Sequence, residues 1–242
     1  MTAVTVARPE DVADRLAAVR QRVADAAGRA GRRASEVRLV VVTKGVPPPV
    51  MQAALDAGAT ELGENRAQEL LAKAPELARL SGETPNPGRP TWHFIGRLQR
   101  NKVAALAPLV DLWQSVDRIE LGRAIAGRAP GAAVLAEVNV ADDPAKAGVA
   151  PGGAPALVDG LRSAGLAVDG LMTVPAAGRD PRPAFAALAA LADRLGLAEV
   201  SMGMSDDFEV AVEEGATIVR VGRAIFGPRP DGPRSTPQSL QR

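Results

Sequence analysis

Eight short apolar segments punctuate the chain, at 39–43, 60–65, 92–96, 112–116, 133–140, 168–174, 199–204 and 217–221. Between successive segments lie stretches that space their apolar residues as helices do, or polar turns leading into them. Leu39 to Thr43 is apolar or β-branched without alternation, as a strand buried on both faces of a parallel sheet requires. Strict alternation of strand and helix implies parallel strands joined by crossovers. Eight such units in 242 residues match a closed (β/α)8 barrel of the TIM type. A doubly wound open sheet is the alternative, but its glycine triplet after the first strand is missing: Lys44-Gly45-Val46-Pro47 stands there instead. The expected single domain covers residues 1–228, and the proline-rich, polar stretch 229–242 reads as a disordered tail.

The helices are read in the same way. Pro9-Glu10-Asp11 opens an amphipathic helix carrying Val12, Leu16, Val19 and Val23, which Gly28 and Gly31 close. Arg66 to Leu80 is helical with an expected break at Pro75, and Leu98 to Leu109 is read as a full helix. Ser81 to Pro90 is a turn-rich loop.

Composition removes several function classes. A net charge of +1 gives no electrostatic case for binding nucleic acid or an acidic membrane. No cysteine occurs, so thiol nucleophiles, thiolate metal sites and disulfides are excluded. His93 is the only histidine, and neither Asp142-Asp143 nor Asp206-Asp207 has ligand spacing, so no metal is expected. No apolar run is long enough for a membrane span, and no signal peptide is evident, which makes the cytoplasm the expected location. Of 29 basic residues, only Lys44, Lys73, Lys102 and Lys146 are lysines, a bias that hints at a need for an amine where one is kept.

A barrel concentrates its chemistry at the carboxyl ends of its strands. Those ends carry Lys44, Glu64 and Asn65, His93, Asn139, Met172 and Thr173, Ser201 and Ser205, and Arg220. Ser205 precedes two acids and an amphipathic helix, so it reads as a helix N-cap. Gly222 and the N–H groups after it can approach an anion closely, as phosphate sites after strands seven and eight do. Strand eight neighbours strand one in a closed barrel, so a phosphate there would face Lys44. Arg220, set among apolar neighbours, needs a planar partner or an ion pair, for which Glu61 is a candidate. Amine, anion cradle and buried guanidinium together suggest a phosphorylated aldehyde held as a Schiff base.

The motifs TKG at 43–45, GEN at 63–65, WHFIGRLQRNK at 92–102, SVD at 115–117, NVADDPAKAG at 139–148, GLMTVP at 170–175, SMGMSDDFE at 201–209 and VRVGRAIFG at 219–227 run in order along the chain. In these the chain resembles the pyridoxal phosphate homeostasis protein family, whose fold is similar to the N-terminal barrel of alanine racemase. The resemblance implies that Lys44 holds pyridoxal 5′-phosphate as a Schiff base and that Arg220 faces the pyridine nitrogen. It implies that Ser205 and Gly222 hold the phosphate, with Asn65 and Ser201 nearby, and it includes His93, Met172 and Lys146 as motif positions. Arg223 stands where the family usually has threonine, so its guanidinium or the backbone takes the place of a hydroxyl. Gln114 stands where a histidine is common.

What the resemblance implies is a carrier rather than a catalyst. Arginine cannot release its proton and so leaves the pyridine nitrogen unprotonated; alanine racemase draws its tyrosine base from a second domain, and this chain has no tyrosine. The expectation is a monomer that binds the cofactor and serves apo enzymes dependent on it. Two alternatives stay open: a weak amino-acid enzyme with His93 or Lys146 as base, and a cofactor-free Schiff-base aldolase using Lys44. Recipient enzymes, and any role of Lys102 or Lys146 in release, are not legible.

Overall fold

The computed structural model describes residues 7–82, 89–141, 146–176 and 178–228. The expected tail at 229–242 lies outside them, as do parts of the 81–90 and 141–148 loops. Strands β1 (Arg38–Val42), β2 (Glu61–Glu64), β3 (Thr91–Phe94), β4 (Leu112–Val116), β5 (Ala133–Glu137), β6 (Ala167–Met172), β7 (Glu199–Ser201) and β8 (Ile218–Val221) form a closed barrel in sequence order. The pairs are parallel, and β8 closes on β1 with Val40 opposite Arg220. The barrel expectation holds and the open sheet is excluded.

Side chains alternate across each strand, so inward positions fall at every second residue. Val40, Leu112, Leu135, Met172 and Ile218 form the apolar plug of the interior. Continuing two residues from three of these leads to Gln114, Glu137 and Arg220, and four residues from Val40 leads to Lys44. The register of the plug therefore decides which polar side chains reach the carboxyl rim. The outward residues form a second core against the helices, with Val41, Leu62, Phe94, Trp113 and Val221 among them.

Helix α1 (Pro9–Arg29) has proline in its first turn, Glu10 and Asp11 at its positive end, and the expected stripe Val12, Leu16, Val19 and Val23 buried. It packs on α2 (Pro48–Asp56), α8 (Phe208–Glu213) and α9 (Arg223–Phe226), covering the seam between β8 and β1. Two expectations on helices fail. Helix α3 (Ala67–Ser81) runs unbroken through Pro75. Pro75 and Leu71, whose carbonyl loses its helical donor, are both exposed, so water can satisfy that carbonyl. The helix expected from Leu98 to Leu109 reduces to a 3-10 turn, Arg100–Lys102, and one turn of α4 (Val103–Leu106). The remaining helices, α5 (Ile119–Ala126), α6 (Ala154–Ser163) and α7 (Arg182–Arg194), follow their strands as expected.

Gly170 marks the tightest approach in the sheet. A Cβ there would stand 1.9 Å from the backbone oxygen of Glu199 on β7, and backbone cannot move aside cheaply. Gly170→Ala should lower the unfolding free energy by about 2 kcal/mol or more, read as a lower urea midpoint with an unchanged slope.

Candidate functional site

Lys44 ends up at the rim because the strand before it and the turn after it are both fixed. Thr43 N–H bonds the Gly63 oxygen at 3.0 Å, and the Lys73 ammonium donates to the Thr43 oxygen at 2.8 Å. Lys73 also donates to Glu64 at 2.8 Å and Glu69 at 2.7 Å, and the Thr43 hydroxyl donates to Glu64 at 2.8 Å. Beyond Lys44, Gly45 takes a positive φ of 72° and donates its N–H to Glu69 at 2.7 Å. Burial pushes the Glu64 carboxyl up, against the pull of Lys73. For Glu69, Lys73 and the Gly45 N–H outweigh burial and hold the carboxyl below its ordinary value.

A cavity of about 490 Å3 opens above the barrel plug and is lined by Lys44, Asn65, Ser205, Arg220, Gly222 and Arg223. Val42, Ile95, Val174 and Met204 supply its apolar walls. The closed barrel thus brings six of the nine expected site residues to one cavity. His93, Met172 and Ser201 do not line it. Met172 belongs to the interior plug, and His93 and Ser201 are fully buried beneath the cavity. Lys146 donates to the carbonyls of Val174 and Pro175, fixing the loop that follows β6 at the cavity wall.

Arg220 is 3% exposed. It donates to Ser201 Oγ at 2.6 Å and to the Thr173 oxygen at 2.8 Å, and makes no ion pair with Glu61. Burial lowers its pKa to about 10, with Glu137 and Asp207 opposing, so it remains a cation at neutral pH. Ser201 Oγ donates in turn to Gln114 Oε1 at 2.6 Å, and Gln114 Nε2 donates to His93 Nδ1 at 2.7 Å. His93 Nε2 lies 3.1 Å from Glu61 Oε2 without the alignment of a hydrogen bond. Glu61, the partner expected for Arg220, therefore sits at the opposite end of the interior, where Arg38 is its nearest cation at 3.8 Å.

Ser205 does not cap a helix as expected. Asp207 occupies the N-cap position of α8, and its carboxylate accepts the Met204 N–H at 2.5 Å. Ser205 Oγ instead accepts the backbone N–H groups of Gly222 and Ala224 at 3.3 and 3.4 Å. Bonds this long yield readily to a stronger acceptor, so hydroxyl and amides form a cradle an anion can enter. Arg223, at the cavity edge, is tied to Asp206.

Sequence reasoning missed Glu137. It is 8% exposed, and burial, reinforced by Asp117, pushes its carboxyl up to about 7 despite Arg220 and Arg97. A lone carboxylate in the apolar run AAVLAEV was the available signal. Met204 also lines the cavity and is 36% exposed, whereas Met202 is fully buried. A larger depression of about 650 Å3 lies between α1 and the starts of β1 and β2, and it holds none of the expected site residues.

Residues 15–230 match the family described as alanine racemase, N-terminal domain. The pyridoxal phosphate homeostasis protein of Aquifex aeolicus is 42% identical over 230 residues, covering 89% of this chain and 97% of that protein. The chain belongs to the pyridoxal phosphate homeostasis protein family. The Pseudomonas aeruginosa member is 37% identical, covering 91% of this chain and 97% of that protein. Among solved structures, PipY of Synechococcus elongatus with pyridoxal phosphate bound superimposes with a TM-score of 0.76 at 31% identity, over 89% of this chain and 100% of that one. Alanine racemase of Corynebacterium glutamicum, at 16% identity and a TM-score of 0.66, shares the fold over 97% of this chain and 66% of its own. Among the described residues no helix is long and apolar enough to cross a membrane.

Two predictions follow from the buried polar groups. Glu137 has a raised pKa, so its contribution to stability is full below about pH 4.5 and is lost as pH rises through about 7. The difference in unfolding free energy between wild type and Glu137→Gln should therefore decline across that window and flatten above it, in urea titrations run at each pH. Gln114→Leu should cost about 2 kcal/mol or more, because the Ser201 hydroxyl and His93 Nδ1 lose their partner inside the barrel. Gln114→His, which keeps polar atoms there, should cost less in the same denaturation series.

Proposed function

We propose that the chain binds pyridoxal 5′-phosphate in the Lys44 cavity and acts in cofactor homeostasis, buffering and delivering it rather than catalysing a reaction with it. The observation that carries this reading is the placement of Lys44, the buried Arg220 and the Ser205–Gly222 cradle around one cavity. The donor set fits the group. Lys44 Nζ is the amine that would hold the aldehyde end, and the Ser205–Gly222 cradle would hold the phosphate. Arg220 has donors only, so it is matched to a pyridine nitrogen that carries no proton. When bound, the cofactor would supply an electron sink for carbanions.

The residues around it are suited to holding that group without using it. A sink for carbanion chemistry gains most from an acid at the pyridine nitrogen, and Arg220 stays a cation with no proton to share. No tyrosine occurs in the chain, so the base of the racemase reaction has no counterpart. His93 is walled off from the cavity by Gln114 and Ser201, and Lys146 is engaged by two backbone carbonyls. Neither is placed as the base of an amino-acid enzyme. We read the chain as a monomer of the cytoplasm whose recipients are apo enzymes that need the cofactor.

The test is the visible spectrum of the purified protein before and after borohydride, with mapping of the modified peptide. The expected result is a yellow protein with the reduced adduct on Lys44, and a colourless Lys44→Ala variant. Alanine racemisation should not exceed that of the free cofactor. A colourless wild type that takes up no added cofactor would overturn the reading and favour the aldolase.

A further inference from the structure

The stretch Arg97-Leu98-Gln99-Arg100-Asn101-Lys102 begins two residues beyond the end of β3, after Ile95 and Gly96, and no part of it lines the Lys44 cavity. The 3-10 turn Arg100–Lys102 folds it back so that Arg97 and Lys102 line a second cavity, also of about 490 Å3. Arg66 and Arg118 complete its basic lining, and no carboxylate contributes to the wall. Phe94 and Leu98 give it an apolar side, and Asn65 is common to this cavity and the first.

The charges here are unevenly satisfied. Arg118 is paired with Asp117 and donates to the Leu98 oxygen at 3.2 Å, and Arg66 lies 3.5 Å from Glu69. Arg97 and Lys102 have no side-chain hydrogen bond or ion pair with any described residue. One further feature lies at the same space. Ala67 and Gln68 line it and belong to the first turn of α3, which Arg66 begins without a side-chain cap, so their N–H groups have no helical acceptor. A cavity lined by four cations and no carboxylate, with backbone N–H groups that lack a helical acceptor and an apolar side, is built for a small organic anion.

We propose that this cavity is a second ligand site, for a small organic molecule carrying a phosphate or carboxylate group. Arg97 and Lys102 hold the anionic end together with the first turn of α3. Asn65 forms the partition, so the ligand lies next to the cofactor proposed above. The size and concavity favour a small molecule over an extended acidic surface.

Isothermal titration at constant ionic strength tests this on the full chain loaded with pyridoxal phosphate, which keeps the Ser205 cradle filled. The probes are inorganic phosphate and succinate. Saturable binding of at least one probe is expected, weakened about tenfold or more in the Arg97→Gln/Lys102→Gln double variant and retained in Lys102→Arg. Phosphate alone identifies the site with phosphate esters, succinate alone with carboxylates, and both with either class. Absence of saturation with both probes, or equal affinity in the double variant, overturns the proposal. A chain that does not load with cofactor refutes the reading of the first cavity only. The same titrations then run on the unloaded chain, since Arg97 and Lys102 lie outside the Lys44 cavity.

Discussion

The guanidinium of Arg220 is a charge placed where a barrel interior would otherwise be filled with branched apolar side chains, and much of the surrounding structure answers to it. A cation taken out of water costs several kcal/mol unless hydrogen bonds replace its hydration. Here the replacement comes from a hydroxyl on β7 and a carbonyl after β6, with Glu137 and Asp207 as a diffuse counter-charge. No carboxylate touches it directly. A bidentate carboxylate would have saturated the fork; a hydroxyl and a carbonyl leave donors toward the cavity. The same arrangement that makes Arg220 tolerable inside the barrel keeps it available to a ligand.

Lysines show the complementary economy of position. Lys44 lines the first cavity and Lys102 the second, while Lys73 and Lys146 each donate to backbone carbonyls that shape the rim. An ammonium that can donate to a carbonyl and two carboxylates at once suits the Thr43 junction, where Lys73 bonds Thr43, Glu64 and Glu69. The Lys44 backbone is thereby held from the strand side by Lys73 and Glu64 and from the turn side by Glu69. A flexible four-carbon amine gains precision only when its own Cα is fixed, and this cluster fixes it.

The alternation of apolar segments made the barrel legible, because parallel strands need crossovers and eight of them close. The carboxyl-end residues were legible for the same reason, and motif resemblance supplied the roles proposed for Lys44 and Arg220. What stayed hidden depended on inward register. His93 was read as a rim residue because it stands near a strand end, yet its Cα partner is Gly63, one position below the rim residue Glu64. Ser201 is likewise one layer down, and Met172 completes the plug. Local rules also misled where solvent or tertiary contacts decided the matter: Pro75 is tolerated on an exposed helix face, and Ser205 serves the backbone after β8 rather than the helix that follows it. The Lys73 cluster was visible only as a Glu69–Lys73 spacing of four, which says nothing about the strand it would reach.

The polar groups beneath Arg220 share one direction, set by the orientation of the Gln114 amide. Arginine can only donate, so Ser201 accepts from it and turns its own proton to Gln114. The Gln114 amide then presents its oxygen to Ser201 and its nitrogen to His93, whose Nδ1 must accept. The imidazole proton is left on Nε2, facing Glu61 at the far end. An imidazole at position 114 could exchange donor and acceptor roles between its nitrogens or take up a proton. An amide does neither, so Gln114 keeps its oxygen toward Ser201 and its nitrogen toward His93. The guanidinium therefore meets the cavity with its orientation set by Ser201 and the Thr173 carbonyl.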